Sequence, residues 1–74
     1  MSNDLEMWVI FDHPADYPEH FVARKFIGKE GQSVPTLDFR FAKSLVEIRD
    51  TIPWGLMCFA RHPSDPPQIV ETWM

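Results

Sequence analysis

Ser44-Leu45-Val46-Glu47-Ile48-Arg49-Asp50-Thr51-Ile52-Pro53 is the segment around which the chain is organised. Ser44 and Glu47 have the spacing of a capping box, in which the serine hydroxyl accepts from the Glu47 amide and the glutamate side chain reaches back to the Ser44 amide. Pro53 cannot donate to the preceding turn and disfavours helical geometry in the residue before it. The segment therefore predicts a helix of about two turns.

An apolar stripe follows one side of this predicted helix. Leu45, Ile48 and Ile52 recur at the i, i+3 and i+7 positions, while the charged residues between them point elsewhere. A helix this short is unstable alone in water, because nucleation costs more than a few hydrogen bonds return. We therefore expect the stripe to pack against the rest of the chain.

The two flanks of the helix share the pattern His-Pro-x-Asp-x-Pro. The two copies are His13-Pro14-Ala15-Asp16-Tyr17-Pro18 and His62-Pro63-Ser64-Asp65-Pro66-Pro67. A phenylalanine shortly precedes each copy and an apolar pair follows it, as expected if each copy joins two strands. Two prolines and an aspartate favour a turn over a continuing strand. The pattern predicts a hairpin that occurs twice, rather than a solenoid.

Length and composition indicate one small folded domain spanning residues 1–74. Hydrophobic residues make up 45% and aromatic residues 14% of the chain, which is too apolar for a disordered protein. A single cysteine and no signal-like N-terminus predict a cytoplasmic protein. No stretch approaches the ~18 apolar residues of a membrane span, so we expect no membrane partner. The net charge of −4 makes a nucleic-acid partner unlikely.

Local patterns predict four or five strands around the helix. They cover residues 7–11, 21–27, 37–41, 56–60 and 69–73, with the strand at 37–41 the one whose existence is open. We expect residues 1–6 to fray and residues 28–35 to form a flexible connection, because the latter contain two glycines and end in a proline. The predicted fold class is α+β: a small antiparallel sheet in the order β-β-(β)-α-β-β, built from two duplicated hairpins, with the helix on one face.

One short helix can cover only one face of such a sheet. The strands at 7–11 and 56–60 are apolar on both faces, so the uncovered face should be an apolar patch. We assign Trp8, Ile10, Met57 and Phe59 to it. Our first hypothesis is therefore a non-enzymatic interaction module that dimerises or docks on a protein partner, with no cofactor and no small molecule indicated.

The repeated loops offer the candidate metal or catalytic residues. If both loop tips lie at one end of the sheet, His13, Asp16, His62 and Asp65 could converge on a divalent ion. The tips share an end only if the strand at 37–41 exists. Turn chemistry is the competing explanation, because proline presets the backbone and aspartate caps its own turn. A metal-dependent or small hydrolytic enzyme is thus the alternative function, and we favour turn chemistry.

Two further residues could carry chemistry. Cys58 lies among apolar residues, and Arg61 is the only nearby cation that could lower its pKa, so we expect it to be packed in the core. His20 beside Glu19 could act as a general base, but no nucleophile is marked near it. Neither residue predicts an active site.

Basic residues interleave with aromatic residues in two of the predicted strands. Arg24, Lys25, Arg40 and Lys43 lie beside phenylalanines that could stack on the bases of a single-stranded RNA. The acidic total charge opposes this interpretation. Weak nucleic-acid binding therefore remains a further alternative to the interaction module.

Overall fold

The computed structural model describes residues 5–74 as a five-stranded sheet and one short helix. The elements are β1 (Leu5–Asp12), β2 (Phe21–Lys29), β3 (Gln32–Ala42), α1 (Leu45–Asp50), β4 (Cys58–Ala60) and β5 (Ile69–Trp73). The coarse prediction of a small antiparallel sheet with one short helix is confirmed. Of the residues expected to fray, Leu5 and Glu6 belong to β1, and residues 1–4 lie outside the described residues.

The sheet is antiparallel throughout and has the strand order β3-β2-β1-β5-β4. β1 is the central strand and pairs with β2 on one side and with β5 on the other. Consequently β1 and β4 run in the same direction, and the loops that follow them leave from the same end of the sheet. The two loops touch at their bases, where the Asp12 amide donates to the carbonyl of Gln68 at 2.7 Å.

Residues 28–35 do not form the flexible connection that we predicted. β2 and β3 both run through this segment and are joined by a turn at Glu30 and Gly31, whose φ angles are 51° and 79°. Two successive positive φ angles are typical of the tight turn whose twist matches a β-hairpin. Pro35 is tolerated because β3 is an edge strand, where a missing amide costs little. The segment is therefore a hairpin.

β3 contains an irregularity opposite Lys25. Arg24 pairs with Phe39 and Phe26 pairs with Pro35, so β3 has more residues than β2 between these pairs. The Thr36 hydroxyl donates to the Lys25 carbonyl at 2.9 Å and accepts from a backbone amide of the bulge. The Thr36 hydroxyl thereby replaces some of the backbone hydrogen bonds between β2 and β3 that the bulge interrupts.

α1 begins at the residue that its sequence predicts. The Ser44 hydroxyl accepts from the Glu47 amide at 3.2 Å. Ile48 is fully buried, and Leu45 and Ile52 pack beside it against the core. The helix thus covers one side of the sheet, which we call the covered side.

The core lies between α1 and the covered side, and it corrects part of our assignment of the uncovered face. Trp8 and Ile10 are 2% and 0% exposed and belong to the core cluster with Ile48. Placing these two residues on the uncovered face was therefore wrong. Met57 and Phe59 are exposed, and the register places them on the opposite side of the sheet from Trp8. Because β1 is apolar at every position from 7 to 11, its sequence could not indicate whether the helix covers the even-numbered or the odd-numbered residues of the strand.

Candidate interaction surface

The side of the sheet that faces away from α1 carries an apolar surface built by cross-strand register. We call it the docking face and define it by the residues of β1, β2 and β3 that point to this side: Met7, Val9, Phe11, Val22, Arg24, Phe26, Phe39 and Phe41. Alternation along each strand places these residues on one side. Cross-strand neighbours are close enough for their side chains to contact each other. The docking face is therefore one connected surface, in which Val22 is buried, Arg24, Phe39 and Phe41 are exposed, and the other residues are half-buried.

An aromatic cluster forms one margin of the docking face. The rings of Phe39 and Phe41 meet edge to face at 5.0 Å, and the ring of Tyr17 lies 4.5 Å from that of Phe41. Phe39 and Phe41 alternate with charged residues as predicted, but they point away from the helix and are 38% and 45% exposed. Aromatic pairs of this geometry are stabilising, so the cluster holds the first His-Pro loop against β3. The first His-Pro loop therefore borders the docking face on one side.

Two adjoining clefts indent the docking face. One has a volume of about 290 Å³ and lies between the first loop and the sheet, where Pro14 and Tyr17 face Phe26 and Phe39. The other, also of about 290 Å³, extends toward β5. The clefts share Phe11 and Phe26 in their linings, so they lie side by side across the sheet.

Arg24 places a positive charge in this apolar surface. Its Nε donates to the Thr36 carbonyl at 3.3 Å, and the side chain lines the first cleft. Within residues 5–74 no carboxylate forms an ion pair with it. Asp16 and Asp65 line the clefts as well, one in each. The guanidinium therefore remains available to an external carboxylate.

The repeated histidines and aspartates are not brought together. In the first loop, His13 has a φ of 48°, and its ring contacts the Asp12 carboxylate and packs 5.0 Å from Phe21. In the second loop, the Asp65 carboxylate accepts from the His62 amide at 3.0 Å, while the His62 ring contacts a serine of its own turn. The tips leave the same end of the sheet, yet among the described residues no three His, Cys, Asp or Glu side chains group as metal ligands would.

A buried acid on the covered side was missed by our sequence analysis. Glu71 is 5% exposed, and its carboxylate accepts from Arg49 at 2.7 and 3.0 Å and from the Trp73 indole at 2.7 Å. These bonds, those from Arg49 above all, hold the pKa of Glu71 below its ordinary value although burial opposes them. An acidic residue inside an apolar strand was the available signal. The carboxylate thus links α1 to β5 through Arg49.

Cys58 is exposed at the sheet edge and not in the core, so that prediction was wrong. β4 is an edge strand, and α1 does not extend far enough to cover it. Partial burial raises the pKa of the thiol, and the neighbouring Glu71 carboxylate raises it further. A protonated thiol is a poor nucleophile at neutral pH, so Cys58 does not support covalent catalysis.

The basic residues considered for nucleic-acid binding are divided between the two sides of the sheet. Lys25 lies on the covered side, 3.9 Å from carboxylates of both Glu6 and Asp38. Arg40 also points to that side, where its guanidinium lies over the Trp8 ring at 5.1 Å. No continuous basic strip results from this placement among the described residues, since Arg24 alone of these three points to the docking face.

Comparisons of the chain with models of protein families, with curated proteins and with solved structures gave no match. Within residues 5–74, no helix is both long enough and apolar enough to cross a membrane. The docking face is therefore the feature from which a function is proposed.

Proposed function

We propose that this chain is a non-enzymatic interaction module that binds a protein partner through the docking face. The observation that supports this proposal is the exposure of a connected apolar surface on a sheet whose other side is packed. Monomeric proteins seldom leave large apolar patches in water, and those that persist usually mark binding surfaces. Here Phe39, which lines the first cleft, and the neighbouring Phe41 stay substantially exposed.

The shape of the surface favours a protein segment as the ligand. Small-molecule sites are usually enclosed and hold about 300 to 1,000 Å³ in a single cavity. The docking face instead offers two open depressions of about 290 Å³ each that meet at Phe11 and Phe26. A partner segment can place apolar side chains in both depressions at once.

Arg24 defines the charge expected of the partner. The guanidinium lines the first cleft and has no carboxylate partner within residues 5–74. Covering it with a purely apolar surface would remove water from an unpaired cation, which is costly. We therefore expect the partner to present a carboxylate beside its apolar side chains.

Site-specific photo-crosslinking in the native cell tests the proposal. A photoreactive benzoylphenylalanine placed at Phe39 should yield a discrete protein adduct that mass spectrometry can identify. The matched control is the same group at Val46, which is 68% exposed on the helix, away from the docking face. Equal adducts from both positions, or no adduct from Phe39, would contradict the proposal.

Affinity measurements with the identified partner then test the role of Arg24. Arg24→Glu should weaken binding at least about tenfold, as expected when a paired charge at an interface becomes a like charge. Lys43→Glu makes the same change of charge in the connection that follows β3 and should leave the affinity within about twofold. If the two variants weaken binding equally, long-range electrostatics and not the docking face is responsible.

A further inference from the structure

The two edges of the sheet are protected very differently. The edge strand β3 contains Pro35, a bulge that includes the charged Asp38, and Arg40 after the bulge. Proline, charge and bulges are the devices by which proteins prevent an edge strand from pairing with another chain. The opposite edge strand, β4, has the sequence Cys58-Phe59-Ala60 and contains no proline, charge or bulge, so that its protection is limited to its short length of three residues. All of its residues are exposed.

The backbone of β4 presents hydrogen-bonding groups outward. Met57 and Met74 exchange both of their backbone hydrogen bonds, at 2.9 and 3.0 Å. Bonded and non-bonded pairs alternate along an antiparallel ladder, so Phe59 bonds inward to β5 as well. The amide and carbonyl groups of Cys58 and Ala60 therefore point away from the sheet, toward solvent.

Apolar side chains surround this edge. Trp54 is 100% exposed, and Met57 and Phe59 are 67% and 46% exposed. From Leu56 to Ala60 the sequence has no charged residue, and Arg61 follows at the end. A neutral, apolar, unpaired edge is a template for strand addition.

We propose that β4 pairs antiparallel with β4 of a second copy of this chain, about a two-fold axis that passes next to Phe59. In this register Cys58 of each copy lies opposite Ala60 of the other, so the outward backbone groups of both strands bond to each other. Phe59 then lies opposite its own counterpart, and Met57 lies opposite Arg61. The second copy is the occupant because a two-fold axis next to Phe59 matches the outward amide and carbonyl groups of Cys58 and Ala60 to each other, and because the paired segment carries no like charges that would lie opposite each other.

This inference goes beyond the proposed function and rests on different residues. The register places Met57 and Phe59 on the same side of the sheet as the docking face. Pairing at β4 would therefore place the docking faces of two copies on one side of a continuous sheet. A partner with two matching segments would bind such a dimer with a large gain in apparent affinity.

Sedimentation equilibrium of the full chain tests the pairing. Because the strand is short, we expect a concentration-dependent dimer between about 10 µM and 1 mM. Ala60→Pro removes one outward amide without removing a bond to β5, and should raise the dimer dissociation constant at least about tenfold. Ala60→Ser keeps the amide and should leave the dissociation constant within about twofold. Circular dichroism establishes that each variant retains the sheet.

Charges at Met57 test the register without altering the backbone. Met57→Lys places a cation opposite Arg61 of the second copy and should weaken the dimer about threefold, whereas Met57→Glu should strengthen it by a similar factor. Leu37→Lys is the control, since Leu37 is 90% exposed at the opposite edge. It should leave dimerisation unchanged.

Three outcomes would overturn the inference. The first is a wild-type chain that sediments as a monomer at about 1 mM. The second is a folded Ala60→Pro variant that dimerises like the wild type, or, if that variant does not fold, equal effects of lysine and glutamate at Met57. The third is a dimer that Phe41→Asp abolishes while the Met57 variants do not affect it. That last result would place the dimer contact on the docking face, and would leave the proposed function intact.

Discussion

The covered side of the sheet and the docking face are built from similar residues but end in different environments. On the covered side Trp8 and Ile10 are buried beneath Ile48. On the docking face Phe39 and Phe41 retain a large exposed fraction, although they are equally apolar. The difference shows that one short helix, and not the strand sequences, determines which side becomes the core. A sheet that is apolar on both sides needs a second cover.

Polar groups show the same contrast. The buried carboxylate of Glu71 on the covered side is fully paired with Arg49 and Trp73. On the docking face the Arg24 guanidinium donates to one carbonyl and has no ion pair within residues 5–74. Burial requires a core to satisfy its polar groups within the chain, whereas a polar group on an exposed face can be satisfied by water.

The largest expected effect on stability comes from removing the contact between α1 and the covered side, which distinguishes this side from the docking face. Ile48→Ala should lower the free energy of unfolding by about 2 to 5 kcal/mol, because the side chain is fully buried and leaves a cavity. Val46→Ala, on the exposed surface of the same helix, should change it by less than about 0.5 kcal/mol. Urea denaturation measures both values. Equal losses would mean that α1 does not pack on the sheet as described.

The second effect concerns the ion pair on the covered side. Glu71→Gln should lower the free energy of unfolding by about 1 to 3 kcal/mol, since hydrogen bonds to a charged group are lost. The loss stays below that of a fully buried pair because Arg49 remains 44% exposed and keeps its hydration. A variant as stable as the wild type at pH 7 would show that the pair contributes nothing to the fold.

The acid dependence of stability should report the same pair. The pKa of Glu71 is lower in the folded chain than in the unfolded one, chiefly through Arg49. The unfolded state therefore binds more protons at this site in acid, and stability falls as pH drops below about 4.3, the ordinary value of a glutamate. The curve for Glu71→Gln should be flatter in this range when unfolding is followed from pH 7 to pH 2. If the stability of the wild type and of Glu71→Gln falls in parallel as pH drops, other carboxylates are responsible for the loss of stability in acid.

A smaller effect is expected at the start of α1. Ser44→Ala removes the hydroxyl that accepts from the Glu47 amide and should cost about 0.5 to 2 kcal/mol. Ser33→Ala, in the exposed part of β3, changes the same atoms without a cap and should cost less than about 0.5 kcal/mol. Thermal denaturation of both variants separates the cap from the general effect of losing a hydroxyl. Identical melting temperatures of the two variants would show that the Ser44 cap does not stabilise α1.

The smallest effect on stability belongs to the docking face. Phe39→Ser should cost about 1 kcal/mol or less, because the ring is partly exposed and loses mainly its contacts within the aromatic cluster. The same substitution should reduce binding of the hydrophobic dye ANS, which reports exposed apolar surface. Destabilisation as large as that of Ile48→Ala would mean that Phe39 belongs to the core.

Sequence reasoning succeeded where the decisive interactions are local. The cap at Ser44 and the strands near residues 7–11, 21–27, 56–60 and 69–73 each depend on residues a few positions apart, whereas the local pattern at 37–41 left the existence of that strand open. Which residues of β1 face the core is not determined locally, because it depends on the side of the sheet against which the helix packs. That is why Trp8 and Ile10 were assigned to the wrong side.

The other errors have equally specific causes. The hairpin at residues 28–35 was hidden because Glu30 adopts a positive φ, which non-glycine residues seldom do. Cys58 was placed in the core because its neighbours are apolar, yet its strand lies at the edge of the sheet. The bonds of Glu71 to Arg49 join residues 22 positions apart, and no local pattern indicates such a pairing.

The position of β5 between β1 and β4 has a consequence for synthesis on the ribosome. β1, β2 and β3 emerge in the order in which they pair, so a meander can form as the chain grows. β4 emerges next without a partner, because its only neighbour in the sheet is β5. Until Ile69–Trp73 has left the exit tunnel and inserted between them, β1 and β4 both expose unpaired backbone. Partly folded chains of this kind are prone to aggregate and are the species that chaperones capture.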